Sequence, residues 1–243
     1  MWKDYDEWTR SCGAPKLADL HFIHASKHLN LYLYPEAVDY TDVRTLDSTW
    51  RRLESSVRTT DEPFEVPEHL QGRDGRSGDG ALIYLSLGSL GSADVDLMRR
   101  LVDVLSRTRH RFIVSKGPQA ALYELADNMW GAHSVPQTNV IPLVDLVITH
   151  GGNNTTTESF HFGKPMIALP LFWDQYDNAQ RIDETGFGAR LDTYRFTDEE
   201  MHGAIERLLG DTALRRRSAE LGATIRARSG TRQAADLLER LVS

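Results

Sequence analysis

The chain carries one cysteine, Cys12, among 243 residues. A lone thiol closes no internal disulfide and builds no thiolate metal cluster. Long apolar runs are missing too: no stretch approaches the ~20 uninterrupted apolar residues that a membrane-spanning helix requires. The opening, Met1 to Glu7, is acidic and lacks the apolar core of a signal peptide. Positive charge is in deficit. Lys and Arg number 28 against 35 Asp and Glu, giving a net charge of -7. Such a chain repels a phosphate backbone, which argues against nucleic-acid binding. The arginines at 215–217, 226, 228, 232 and 240 then read as solvated helix faces. Two phosphate-binding signatures are also absent: there is no Gly-x-Gly-x-x-Gly and no Gly-Lys-Ser/Thr. With 40% hydrophobic and 26% charged residues, the composition is that of a soluble globular protein. The expectation is a cytoplasmic chain of one large domain, or one domain with an appendage.

What is present is a regular alternation after residue 80. The run Gly72–Gly80 has no apolar residue and four glycines. It reads as a linker at 72–80, or equally as a surface loop. Ala81–Leu87 is a short apolar run, as a buried strand is. Asp94–Arg107 repeats apolar residues at helical spacing. Arg111–Ser115, Leu143–Thr149 and Lys164–Leu169 read as further strands, with helical patterns between them. This order predicts an α/β fold: a Rossmann-like parallel sheet with helices on both faces. From Thr197 onward only helices are predicted, broken near Gly210 and Gly230. Residues 1–71 are poorer. Met1–Arg10 suits a helix and Leu29–Tyr34 a strand ended by Pro35, but no complete βαβ set is visible.

The densest chemistry lies in His150-Gly151-Gly152-Asn153-Asn154-Thr155-Thr156-Thr157-Glu158, directly after a strand and opening a helix. Two glycines let the backbone turn and approach a ligand. Asn and Thr are good helix caps, and free N–H groups at a helix start attract an anion. In an open α/β sheet this loop lies in the ligand crevice. Asn154 and Glu158, four apart, share one helix side. A carboxylate one turn below a phosphate suits a neutral diol such as a ribose. The plain alternative is a well-capped strand–turn–helix; His150, Asn154 and Glu158 tip the balance toward a ligand. Ser86–Ser92, rich in glycine and hydroxyls, follows the first strand and could line the same crevice. In Pro170–Asn178, Asp174 and Gln175 could bond hydroxyl groups. A blander reading makes Asp174 a helix cap and Trp173 a core anchor.

Taken in order, Val135-Pro136-Gln137, His150-Gly151-Gly152-x-Asn154-Thr155-x-x-Glu158, Gly163-Lys164-Pro165, Pro170, Asp174-Gln175 and Asn178 resemble the donor-binding signature of the UDP-glycosyltransferase family. The likeness is to its bacterial macrolide-glycosyltransferase-like branch, and it covers roughly residues 80–240. The resemblance implies a GT-B fold, in which two Rossmann-like domains face each other. The C-terminal domain of such proteins holds a nucleotide sugar. The N-terminal domain holds the acceptor and supplies the catalytic base, usually a histidine. By position, 81–243 would be the donor-binding domain and 1–71 a remnant of the acceptor domain. His150, Gly152, Asn154 and Thr155 would contact the diphosphate. Glu158, helped by Gln137, would hold the ribose. Val135 would meet the base edge through its backbone, Asp174 and Gln175 would bind the sugar, and Ser89 would lie near the phosphates or the acceptor cleft. The implied reaction moves a hexose from a UDP-sugar or dTDP-sugar to a small-molecule hydroxyl, with no metal and no cofactor beyond the co-substrate.

Two departures from that pattern stand out. Ser134 occupies a place where an aromatic residue normally stacks on the base, an interaction of about 1–3 kcal/mol. Trp130 and His133 are the nearby rings that could replace it, though Trp130 reads more simply as a core residue. The catalytic histidine also has no counterpart. His21, His24 and His28 have the spacing of one helical face, which could suggest a metal, but read more simply as an incidental cluster. The chain alone is therefore expected to bind donor weakly and turn over little. Alternatives are a subunit completed by an acceptor-domain partner chain, or a non-catalytic module that self-associates as a homodimer through uncovered apolar surface.

Overall fold

The computed structural model describes residues 1–71 and 80–242, so the linker expected at 72–80 lies, apart from Gly80, outside the described residues. Helix α1 (Trp2–Ser11) opens the chain, and an irregular stretch leads to strands β1 (Asn30–Tyr32) and β2 (Trp50–Arg52). These two pair in parallel, Leu31 opposite Arg51. The sequence showed β1 but not β2, because Trp-Arg-Arg has no alternating pattern.

The main sheet follows. Its members are β3 (Leu82–Ser86), β4 (Arg111–Ser115), β5 (Met129–Ala132), β6 (Leu146–Thr149), β7 (Met166–Ala168) and β8 (Gly188–Arg190). All neighbours are parallel, in the spatial order β5-β4-β3-β6-β7-β8. Every residue of β3, β6 and β7 is buried. This is why these strands read as continuous apolar runs rather than as alternation. Two strands, β5 and β8, escaped the sequence reading. Both lie at sheet edges, both are short, and both contain glycine, so neither has an apolar run to betray it.

The connecting helices are α2 (Gly88–Gly91), α3 (Val95–Ser106), α4 (Gln137–Val140), α5 (Asn153–His161) and α6 (Asp174–Glu184). Asp94 caps α3 by accepting from the Leu97 N–H at 3.1 Å. Strand order runs outward in opposite directions from β3 and from β6. Right-handed crossovers therefore place α3 and α5 on opposite faces. Helices α7 (Asp198–Gly210), α8 (Thr212–Arg226) and α9 (Gly230–Val242) close the chain. A capping box, Thr197 with Glu200, starts α7. Helix α7 packs on α3 and α8 on α5, so the C-terminal helices reach both faces.

The N-terminal segment is fastened to this unit by polar clamps. Buried Asp39 accepts from Arg52 at 2.7 Å and Arg44 at 3.0 Å. Burial works to raise its pKa, but those guanidiniums and the Tyr40 N–H hold the carboxyl below its ordinary range. Arg181 of α6 donates to the Asp39 carbonyl at 2.8 Å and pairs with Asp42 at 3.0 Å. The Glu54 carboxylate meets Arg228, and the Gly230 N–H donates to Ser55 at 2.6 Å. Val38 and Leu70 are fully buried in the same apolar core as the main sheet. Among the described residues no helix is long and apolar enough to cross a membrane. His21, His24 and His28 stand exposed on an irregular stretch, so their spacing forms no helical face.

Candidate functional site

The strand order reverses between β3 and β6. Their last residues, Ser86 and Thr149, are paired in register. The loops that leave them therefore start side by side, at the carboxyl end of the sheet, where such folds bind ligands. One loop carries Gly88 and Ser89, the other His150 to Gly152. Between them opens a cavity of about 670 Å³. Ser89, Val135, Gln137, His150, Gly152, Asn154, Thr155 and Gln175 all line it. Of the residues read from the sequence, Glu158 and Asp174 do not.

The His150 ring stands in a slot between two glycines. A Cβ on Gly88 would lie 2.9 Å from its Cε1, and one on Gly152 closer still to Nε2. Gly88 also has φ of 67°, which only glycine adopts freely. Burial lowers the pKa of His150, while a hydrogen bond to the Ser86 backbone carbonyl acts the other way. Burial thus favours the neutral ring.

Asn and Thr were expected to cap α5. The cap is instead Gly152, at φ −62° and ψ 146°, with no side chain bonded there. Thr156 is the first residue whose N–H finds an acceptor inside the turn, the Gly152 carbonyl at 3.0 Å. The N–H groups of Asn153, Asn154 and Thr155 are left without an intrahelical partner, at the cavity wall. An uncapped helix start carries partial positive charge, which is an anion seat.

One turn deeper, Glu158 is 3% exposed. Its Oε2 accepts from the Gln137 amide, and Arg58 Nε stands 3.3 Å from Oε1. Gln137 Oε1 in turn accepts from the Tyr84 hydroxyl at 3.1 Å. Burial raises the Glu158 pKa, while Gln137 and Arg58 oppose that rise. The Tyr84 hydroxyl is pushed up to about 12, chiefly by burial. The free N–H groups and the buried carboxylate thus lie on one helix, one turn apart.

Gln175 is partly committed. Its Oε1 accepts from the Leu171 N–H at 2.9 Å and the Phe172 N–H at 3.1 Å, leaving its amide nitrogen to donate. Asp174 is exposed and accepts from Asn178 at 3.3 Å. It is the first residue of α6 rather than its cap; Trp173 holds the cap position. Trp173 is no core anchor either, being 77% exposed with φ of 54°. Asn178 donates to the Gly151 carbonyl at 2.8 Å and so ties α6 to the glycine turn. At the base end, Ser134 and His133 line the cavity. Trp130 does not; it packs on Phe64 with ring centroids 5.6 Å apart.

Sequence reasoning missed Arg58, Tyr84, Ser115 and Phe172 in this lining. Ser115 ends β4 beside β3, so its place at a strand's carboxyl end was a usable signal. Arg58 had none: it lies on an irregular stretch, far along the chain from every motif.

A reversing parallel sheet, with an open helix start and a buried carboxylate at its switch point, is the α/β unit of the GT-B glycosyltransferase fold. Solved structures agree. The crystal structure of the glycotransferase of kitacinnamycin matches with a TM-score of 0.78 and 24% identity, over 98% of this chain and 61% of that one. Spinosyn rhamnosyltransferase SpnG complexed with thymidine diphosphate matches with a TM-score of 0.69 and 21% identity, over 98% and 61%. The model of the Erythromycin biosynthesis protein CIII-like C-terminal domain matches residues 99–241, and the chain belongs to that family. Demethyllactenocin mycarosyltransferase of Streptomyces fradiae is 31% identical over 172 residues, 69% of this chain and 37% of the relative. The chain thus spans well under half of that curated relative and matches C-terminal-domain sequence.

Proposed function

We propose that this chain is the donor-binding part of a glycosyltransferase that moves a hexose from a nucleoside diphosphate sugar to a small-molecule hydroxyl. It would work in the cytoplasm, without metal or further cofactor. The observation that carries the reading is the run from His150 through the open start of α5, which lines one cavity, down to Glu158 buried one turn below it. The diphosphate sits on the N–H groups of Asn153, Asn154 and Thr155 and on His150. The ribose hydroxyls reach Glu158, with Gln137 holding that carboxylate. The base lies by Val135, and the sugar extends toward Asp174 and the Gln175 amide, with Ser89 at the opposite wall. Thymidine diphosphate is the ligand named with one structural neighbour, and both uridine and thymidine nucleotides are candidates here.

In the reaction, the acceptor oxygen bonds to the anomeric carbon as the bond to the diphosphate oxygen breaks. The acceptor proton passes to a base, and the nucleoside diphosphate leaves with the bonding electrons. Negative charge grows on the leaving oxygen, where the α5 N–H groups and a protonated His150 stabilise it. No residue of this site is assigned as the acceptor's base. Calorimetry with UDP, dTDP and UDP-glucose tests the reading. Binding is expected, weakened by His150→Ala, with little or no turnover by the chain alone. Absence of binding by all three nucleotides refutes it.

A second reading, in which a partner chain supplies the acceptor domain or two copies associate, has its own support. Trp8, Leu20, Phe22 and Ile23 are exposed on the N-terminal segment, and Leu238, Leu241 and Val242 on α9. A clean monomer in light scattering at high concentration speaks against the homodimer.

A further inference from the structure

Three consecutive residues that lead into β4, Arg109, His110 and Arg111, fasten parts of the chain that are far apart in sequence. Arg111 donates to the carbonyl of Leu70 and, at 2.8 Å, to that of Gly80. Leu70 lies near the end of the N-terminal segment and Gly80 just ahead of β3, so one guanidinium holds both. Arg109 pairs with Glu206 of α7 at 2.8 Å. His110 stands between these two arginines and is 2% exposed.

Both ring nitrogens of His110 are committed. Nδ1 accepts from the N–H of Ala81, the residue before β3, at 3.0 Å. A backbone N–H can only donate, so Nδ1 carries no proton there. The proton of the neutral ring is then on Nε2, which stands 3.1 Å from Oε1 of Glu206. The chain itself thus fixes the tautomer. Burial does most to lower the pKa of this ring. Glu206 on α7 works to raise it, the neighbouring Arg109 lowers it further, and Asp145 ahead of β6 works to raise it; the result lies below the ordinary histidine value. Neither carboxylate is free to do more. Oε2 of Glu206 is taken by Arg109, and Asp145 accepts from the Leu82 N–H at 3.0 Å. A second proton has one place to go, Nδ1, and there it would face the Ala81 N–H, donor against donor.

We propose that His110 is an acid-sensitive latch: a second proton, taken at Nδ1, expels the Ala81 N–H and frees the start of β3 from its seat beside α7. The bond that breaks is N–H to Nδ1. The bond that stays is Nε2–H to Oε1 of Glu206, now between charged groups. The freed stretch adjoins Gly80, which Arg111 ties together with Leu70, so the join between the N-terminal segment and the sheet loosens with it. The latch is independent of what the cavity binds. The native ring resists the second proton and the unfolded one does not. Its contribution to stability is therefore complete above about pH 6.5, the ordinary histidine value. It is lost as pH falls through the lower native value.

The test compares the whole chain with His110→Gln, whose amide can still donate to Glu206 but takes up no proton. Urea denaturation is followed from about pH 7.5 down to about pH 5, a range that brackets ordinary histidine titration. Other titrating groups act alike in both proteins and drop out of the difference. Between the native and unfolded pKa values, the unfolding constant of the parent is expected to rise by up to about tenfold more per pH unit than that of the variant, which is the effect of one proton. Two further measurements are made on the parent alone. Nitrogen-15 NMR is expected to show the His110 ring as the Nε2–H tautomer at neutral pH. Exchange protection of the Ala81 amide, corrected for the intrinsic rate, is expected to fall on acidification while amides within β6 keep theirs. Parallel stability profiles of parent and variant overturn the proposal. So does an Nδ1–H tautomer, and so does Ala81 protection that holds throughout the range. The two measurements on the parent decide the matter if His110→Gln does not fold.

Discussion

Replacing Gly152 by alanine probes the centre of the site through a contact rather than a charge. Gly152 has φ −62° and ψ 146°, an extended conformation open to any residue, so alanine adds no backbone strain. Its new Cβ would fall on the Nε2 edge of His150, deep inside contact distance. The glycine backbone opens α5 and is fixed by the helix, whereas the imidazole can turn, so the ring gives way. His150 then loses its line to the diphosphate. A hydrogen bond to a charged group contributes about 1.5–3 kcal/mol, which is about 10- to 150-fold in affinity. The effect on stability is smaller, because alanine in place of a glycine cap costs about 0.5–1 kcal/mol. The assay is calorimetric titration of dTDP and UDP on the parent, Gly152→Ala, His150→Ala and the double variant. Alanine at 150 removes both the clash and the contact. In that background Gly152→Ala is expected to add less than about 0.5 kcal/mol. Two losses that simply add, or parental affinity in Gly152→Ala, would refute the reasoning.

Nucleotide affinity is expected to pass through a maximum with pH. Glu158 must be ionised to accept hydroxyls, and burial raises its pKa, so affinity falls on acidification through a range above that of ordinary carboxylates. Burial favours the neutral form of His150 and an arriving diphosphate favours the protonated one, so affinity also falls as pH rises through its pKa in the complex. A calorimetric profile that stays flat between about pH 5 and about pH 9 contradicts both assignments. Trp173→Gly is expected to stabilise the chain in urea denaturation. Strain at such a backbone position is about 1–3 kcal/mol, and the flexibility of glycine takes back about 0.5–1 kcal/mol. A loss of stability would mean that the exposed indole packs on something essential.

The legible parts of this protein were those where one local signal decides. Leu82–Ser86 and Leu146–Thr149 are buried on both faces, and only apolar runs satisfy that position. Thr197–Glu200 carries its capping box in four letters, and α7 begins there. Glu158 could be placed beneath the glycine turn because its distance from that turn is a helix turn. The illegible parts depend on pairing across the chain. β2, β5 and β8 are strands because a neighbour completes their hydrogen bonds, not because Trp-Arg-Arg, Met-Trp-Gly-Ala or Gly-Ala-Arg demands extension. Trp173 was misread for a related reason. An aromatic beside a strand end normally goes inward, but the turn into α6 puts its backbone at positive φ and its ring in solvent.

The same distinction governs the site. Its glycine-turn side is local: strand, glycine turn and helix follow one another within Thr149 to Glu158, and their geometry comes from their own spacing. Its deeper side, around Glu158, is assembled from afar. Gln137 reaches Glu158 from 21 positions away, and Arg58 from the segment before the main sheet. Coupling of this kind has a consequence for the N-terminal segment. The clamps Arg181 to Asp39 and Asp42, and Glu54 to Arg228, hold residues 36–55 against α6 and the start of α9. The stretch that begins at Arg58 leaves directly from this fixed region. Loosening the clamp displaces Arg58 without touching the cavity. If the Arg58 guanidinium adds to nucleotide affinity in this cavity, a clamp variant such as Arg181→Ala weakens UDP binding in calorimetry in the same direction as Arg58→Ala, and by less; unchanged UDP affinity in Arg181→Ala refutes the coupling.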